Sequence, residues 1–142
     1  MSKSVLCGIV GSVGAVITGF FGGWDQGLIT LVTFMGVDYI SGLIVAAVFK
    51  KSEKTENGAL ESRAGWKGLC RKGMVLLIVM IAFRLDLMIG TDYIRDAVII
   101  GFCANELISI IENAGLMGIP LPRVLIDAID ILKHKEDEKN GI

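Results

Sequence analysis

The sequence predicts an all-α integral membrane protein, with four transmembrane helices followed by a C-terminal amphipathic helix. Three observations carry this. Of 142 residues, 53% are hydrophobic and mean hydropathy is +0.65, whereas 20% are charged, against roughly 25% in an ordinary soluble domain. A chain this short buries only about two-thirds of its surface on folding in water, so a solvent other than water must take the remainder. The charges are also spaced so that they leave four apolar gaps, each to be judged against the roughly 20 helical residues that a bilayer core about 30 Å thick demands. Finally, Lys and Arg collect in segments that an even number of crossings places on one side.

The first span, residues 5–23, has 19 residues and no charge, and Trp24 follows it where an aromatic suits the membrane interface. Lys3 ahead of it resembles the start of a secretory signal. The run is longer than a signal core, however, and no A-x-A cleavage site follows, so it is expected to be retained. Ser4, Gly8, Gly11, Ser12, Ala15 and Gly19 recur every three or four residues and therefore share one helix face. Small residues there admit a second backbone at close range; the alternative is that glycine is simply frequent in membrane helices.

The second span, residues 28–49, has 22 residues with Asp38 as its one charge, and stops at Lys50-Lys51. Asp38, Ser41, Gly42, Val45 and Ala46 form a weaker polar and small stripe along it. Residues 50–65 mix Lys, Glu, Ser, Asn and Gly and read as a flexible connection. The third span, 73–90, opens with the apolar run Met74 to Phe83 and then admits Arg84 and Asp86. The fourth, 97–111, has 15 residues and includes Asn105 and Glu106. It is either completed by flanking residues or is re-entrant or interfacial, which would leave three spans.

Pro120-Leu121-Pro122 stops one helix and suits the first turn of another. Beyond it, Arg123, Asp127, Asp130 and His134 form a polar face, and Leu121, Leu125, Ala128, Ile129 and Leu132 an apolar one. Such a helix lies on the inner membrane surface or packs on a neighbour. The run from Lys133 to Asn140 is expected to be solvated and disordered. Residues 1–120 thus read as a transmembrane domain and 121–142 as a cytoplasmic amphipathic helix with a charged tail.

Orientation follows from the basic residues. The segment from Lys50 to Lys72 holds seven Lys and Arg against three acids, and with four spans 12 of the 14 basic residues fall on one side. That side is cytoplasmic, with both termini there. At 1.5 Å per residue, Asp38, Arg84 and Glu106 each lie about 15 Å from an end of their spans, near the midplane. Charges at that depth are costly unless paired or wetted, so they are expected to face protein or water. An Asp38–Arg84 pair is the natural reading, with Glu106 sharing Arg84 or held protonated by desolvation. The alternative ends a shorter third span at Arg84 and Asp86, with Glu106 snorkelling.

Several functions are disfavoured. A net charge of -1 supplies no basic field for nucleic acid. Cys7, Cys70 and Cys103 form no CxxC pair and read as reduced. P-loop, GxGxxG, HExxH and GxSxG patterns are missing, and His134, the one histidine, sits in a charged tail. An enzyme is not expected, and neither a cofactor nor a metal is called for.

Three stretches, in order, resemble a family. They are Asp38-Tyr39-Ile40-Ser41-Gly42; the basic stretch Ser62-Arg63-Ala64-Gly65-Trp66-Lys67-Gly68-Leu69-Cys70-Arg71-Lys72; and Asn105-Glu106-Leu107-Ile108-Ser109-Ile110-Ile111-Glu112-Asn113 followed by Gly118-Ile119-Pro120-Leu121-Pro122. Together they resemble the phage lysis and toxin-secretion holins over about Phe34 to Leu132. The resemblance implies a small protein that accumulates in the bacterial cytoplasmic membrane, forms homo-oligomers, and opens lesions at a set time. These release a wall-degrading endolysin, or in relatives a toxin, without necessarily touching it. By that logic Asp38, Arg84, Asn105 and Glu106 are candidates for assembly or trigger, and Gly8, Gly11, Ala15, Gly19 and Gly42 for helix packing. Two other readings compete: a proton-coupled multidrug-type transporter using Glu106 or Asp38, and a scaffold subunit of a larger membrane complex.

Overall fold

The computed structural model describes residues 2–139 and 141. Among them every regular element is helical: α1 Lys3–Phe20, α2 Gln26–Ile44 prolonged by a π-helical turn Val45–Phe49, α3 Ser62–Ile89, α4 Ile94–Leu116 and α5 Arg123–Lys139. The boundaries have local causes. The Ser2 hydroxyl accepts from the Val5 amide at 3.3 Å and the Asp25 carboxylate from the Leu28 amide at 3.0 Å, capping α1 and α2. At the other ends, Lys50 (φ 52°) follows the π-helical turn and Gly90 (φ 81°) closes α3, both left-handed.

The packing is centred on α4. It meets α2, α3 and α5, while α1 touches only α3. Leu28, Leu31 and Met35 of α2, Val79 of α3, and Ile99 and Cys103 of α4 form the core, with Phe21 and Leu132 of α5 packed against it. Contact on three sides explains how a helix with Arg95, Asn105, Glu106 and Asn113 persists in so apolar a chain: its neighbours, rather than lipid, take much of its surface. By contrast α1 buries none of its residues, and Val10 is 63% exposed. A Cβ built on Gly8, Gly11 or Gly19 would meet nothing within 4 Å, so the small face of α1, with exposed Ala15, has no partner among the described residues.

Two helices, α1 and α2 with its π-helical prolongation, are long and apolar enough to cross a membrane. The others depart from the expected spans. α3 begins 11 residues before position 73, because the Tyr39 hydroxyl donates to the Gly65 carbonyl at 3.2 Å and holds its first turns against α2. α4 runs for 23 residues, extending the expected 97–111 at both ends.

The expectation of a disordered tail is corrected. Residues 133–139 continue α5, since buried Ile129 and core-facing Leu132 anchor the preceding turns and Lys and Glu propagate a helix well; Asn140 lies outside the described residues. The apolar face of α5 rests on α4 of its own chain, where a Cβ on Gly101 would come 3.1 Å from a Glu136 carboxylate oxygen.

One turn is tightly specified. Gly22 has φ 79°, and a Cβ there would sit 2.6 Å from the Phe83 ring. Replacing Gly22 by Ala therefore adds a left-handed alanine and a clash at once. We expect a loss of about 2 kcal/mol, read as a lower unfolding midpoint in detergent; an unchanged midpoint would show that the α1–α2 turn is free to move.

Candidate functional site

The polar groups of α2, α3 and α4 meet at one point. Lys72 Nζ donates to Asp38 Oδ2 at 2.7 Å and to Glu106 Oε2 at 2.8 Å. Asp38 Oδ1 accepts from Ser109 Oγ at 2.6 Å and from Asn113 Nδ2 at 3.2 Å. Asn113 also donates to Ser41 Oγ at 2.8 Å and to the Asp38 carbonyl at 3.3 Å. The geometry follows from helical spacing. Glu106, Ser109 and Asn113 stand three and four residues apart on α4 and face Asp38 together with Ser41 and Gly42, which follow it by three and four residues on α2. A Cβ on Gly42 would lie 3.8 Å from Asn113 Nδ2, so this packing candidate sits at the α2–α4 contact.

The expected Asp38–Arg84 pair is corrected. Arg84 is exposed, and the cation between the carboxylates is Lys72. The reason is the longer α3, whose early start carries Lys72 inside the bundle and level with the middles of α2 and α4. Asn105 is exposed, while its neighbour Glu106 is buried.

A second polar cluster ties the opposite end of the bundle. Buried Arg95 donates to the Phe21 carbonyl, to the Gly23 carbonyl at 3.2 Å, and to both carboxylate oxygens of Asp25 at 2.8 and 3.2 Å, with Asp96 at 3.5 Å. These hydrogen bonds from Arg95 hold the Asp25 carboxyl below the usual carboxylate range, against the opposing effect of burial. Asp86 accepts from Thr91 Oγ1 at 2.6 Å and from the amides of Ile94 and Arg95 at 3.0 and 2.9 Å, so it ends the α3–α4 turn and caps α4.

A cavity of about 230 Å³ lies between α2, α3 and the connection that precedes α3. Its lining runs from exposed Lys54, Glu61 and Arg71 to the Asp38–Lys72–Glu106 cluster, with Gly42, Gly65 and Gly68 leaving room between the helices. Thr55 Oγ1, on the same lining, is buried without a hydrogen-bond partner among the described residues.

Sequence reasoning missed Lys72, Ser109, Asn113 and the Arg95–Asp25 tie. A signal for Lys72 was present, since two acids at mid-depth need a cation and Lys72 is one residue outside the expected third span. Ser109 and Asn113 share a face with Glu106 by spacing alone.

Comparison with known proteins gives consistent results. The model described as the bacteriophage holin family matches residues 15–134. An uncharacterized protein of Listeria innocua serovar 6a is 42% identical over 137 residues, covering 94% of this chain and 91% of that protein. One from Listeria monocytogenes is 42% identical over 132 residues, covering 92% and 88%. A protein of Bacillus phage phi105 named probable holin is 31% identical over 104 residues, covering 72% of this chain and 71% of its own length. No solved structure matches.

Proposed function

This chain belongs to the bacteriophage holin family, and from that premise we propose that it oligomerises in the bacterial cytoplasmic membrane and opens timed lesions that release an endolysin or toxin. The reading is non-enzymatic: the protein's work is to assemble in lipid. In this reading α1 to α4 all cross, with both termini and the basic 50–72 segment on the cytoplasmic side. The observation that carries it is the distribution of surface. Polar groups of α2, α3 and α4 are gathered inward around Lys72, while α1 has no buried residue and an unpartnered small-residue face for lipid or another subunit.

Controlled expression in a bacterium tests this. Holin activity gives sudden growth arrest with depolarisation, and lysis only when a wall-degrading enzyme is co-expressed. Cells that keep their potential and gain resistance to a cationic dye would establish the transporter reading instead. The Asp38–Lys72–Glu106 cluster holds three helices in one arrangement, so Asp38→Asn is expected to shift the onset of arrest. Arg84→Gln, at an exposed position, is expected to leave bundle stability within about 0.5 kcal/mol. Unchanged onset for Asp38→Asn would remove the cluster from the trigger.

A further inference from the structure

We infer that the Asp38–Lys72–Glu106 cluster is a proton-binding site, with the proton carried by Glu106 and exchanged through water in the cavity from the side of the connection before α3. The first step is charge. Two carboxylates and one ammonium share a buried site, so with both acids ionised one negative charge is uncompensated, which a low-dielectric interior strongly disfavours. One proton makes the cluster neutral.

The second step is its location. Asp38 accepts from three side chains, Lys72, Ser109 and Asn113, in addition to its burial. Glu106 accepts from Lys72 through Oε2 alone, and Oε1 receives no donor among the described residues. Glu106 is only 9% exposed, yet it lines the cavity. An anion is best kept where donors are many, so Asp38 keeps its charge and Glu106 takes the proton.

The third step is the route. A volume of about 230 Å³ has room for several waters. Thr55 Oγ1, buried with no partner among the described residues, is a polar atom that such water would satisfy. The groups facing this path besides Glu106 are Asp38 and Tyr39 from α2, Arg71 and Lys72 from α3, and Lys54 and Glu61 from the connection; Cys103, one turn before Glu106 on α4, is buried in the core. From α5, Glu136 lies beside Gly101. Protonation as such is independent of topology, whereas one-sided access rests on the four-crossing reading above.

Dicyclohexylcarbodiimide, which modifies protonated carboxyls in apolar surroundings, tests the first part on the full chain in phospholipid vesicles. Mass mapping is expected to find the adduct on Glu106, declining as pH rises, lost in Glu106→Gln and much reduced in Asp38→Asn, where Lys72 alone balances an ionised Glu106. An adduct on Asp38, or none on Glu106 at any pH in protein with unchanged helical circular dichroism, overturns it. For the route, Gly68→Cys in a background with Cys7→Ser and Cys70→Ser is treated with a membrane-impermeant thiol reagent. Reaction in inverted vesicles but not in intact cells is expected. Reaction from the opposite side, or from neither, overturns the water path while leaving the carbodiimide result to stand or fall alone.

Discussion

Lys72→Met is expected to be the most damaging single substitution in the bundle. Lys72 is the one cation between Asp38 and Glu106, at 2.7 and 2.8 Å, and its side chain is 15% exposed. Methionine keeps the stem's volume and removes the charge, so the packing of α3 is nearly preserved while the acids lose their partner. Removing one member of a buried ion pair costs about 3–5 kcal/mol, because the residual charge has no compensation. In a chain of this size that corresponds to a fall of roughly 10–17 °C in the unfolding midpoint. Circular dichroism in detergent measures it, and a loss below about 0.5 kcal/mol would show that the carboxylates need no counter-charge. The mechanism separates from a packing defect by a cycle. Adding Asp38→Asn and Glu106→Gln to Lys72→Met removes every charge in the cluster and is expected to recover most of the stability, which an overpacked or hollowed α3 would not do.

The same residue shows where sequence reading reached its limit. Asp38 and Glu106 were legible as deep carboxylates, because each interrupts an otherwise apolar run, and helix spacing put small and polar residues beside Asp38. Lys72 was passed over, because it lies at the end of a basic stretch that reads as a marker of the cytoplasmic side. Only the tertiary arrangement shows that α3 starts at Ser62 and carries Lys72 inside, while Arg84, equally deep by counting, turns outward. Counting residues measures position along an axis; it does not register how helices slide past one another or which face meets a neighbour. The short fourth apolar gap was ambiguous for a related reason. A helix enclosed by α2, α3 and α5 has no need of the continuous apolarity by which a lipid-facing span is recognised. The tail illustrates the converse error: composition argued for disorder from Lys133 onward, but two apolar residues just upstream dock the helix and its charged turns follow.

Arg95→Met should release the opposite end of the molecule. Arg95 is buried and joins α4 to the α1–α2 turn through the carbonyls of Phe21 and Gly23 and the carboxylate of Asp25. Since α1 otherwise meets only α3, this tie is the main polar connection fixing the turn. The Asp25 side chain is 52% exposed, so its charge returns to water at little cost. The loss comes chiefly from two carbonyls left without their donor, about 2–4 kcal/mol together. It should appear as a lower unfolding midpoint and as faster protease cleavage at Gly22-Gly23; unchanged cleavage would mean that Phe21 packing alone holds the turn. The pH dependence identifies the ion-pair share. The folded Asp25 carboxyl is held below its ordinary range, first by the Arg95 hydrogen bonds. Its contribution is therefore complete above the unfolded carboxylate value and is lost as pH falls through the folded one. The gap between wild type and Arg95→Met is expected to narrow over that acid window and to stay constant above it. Arg95→Lys keeps the charge but not the planar fork that reaches two carbonyls and a carboxylate together, so it should recover less than half of the loss. Full recovery by lysine would reduce the role of Arg95 to charge alone.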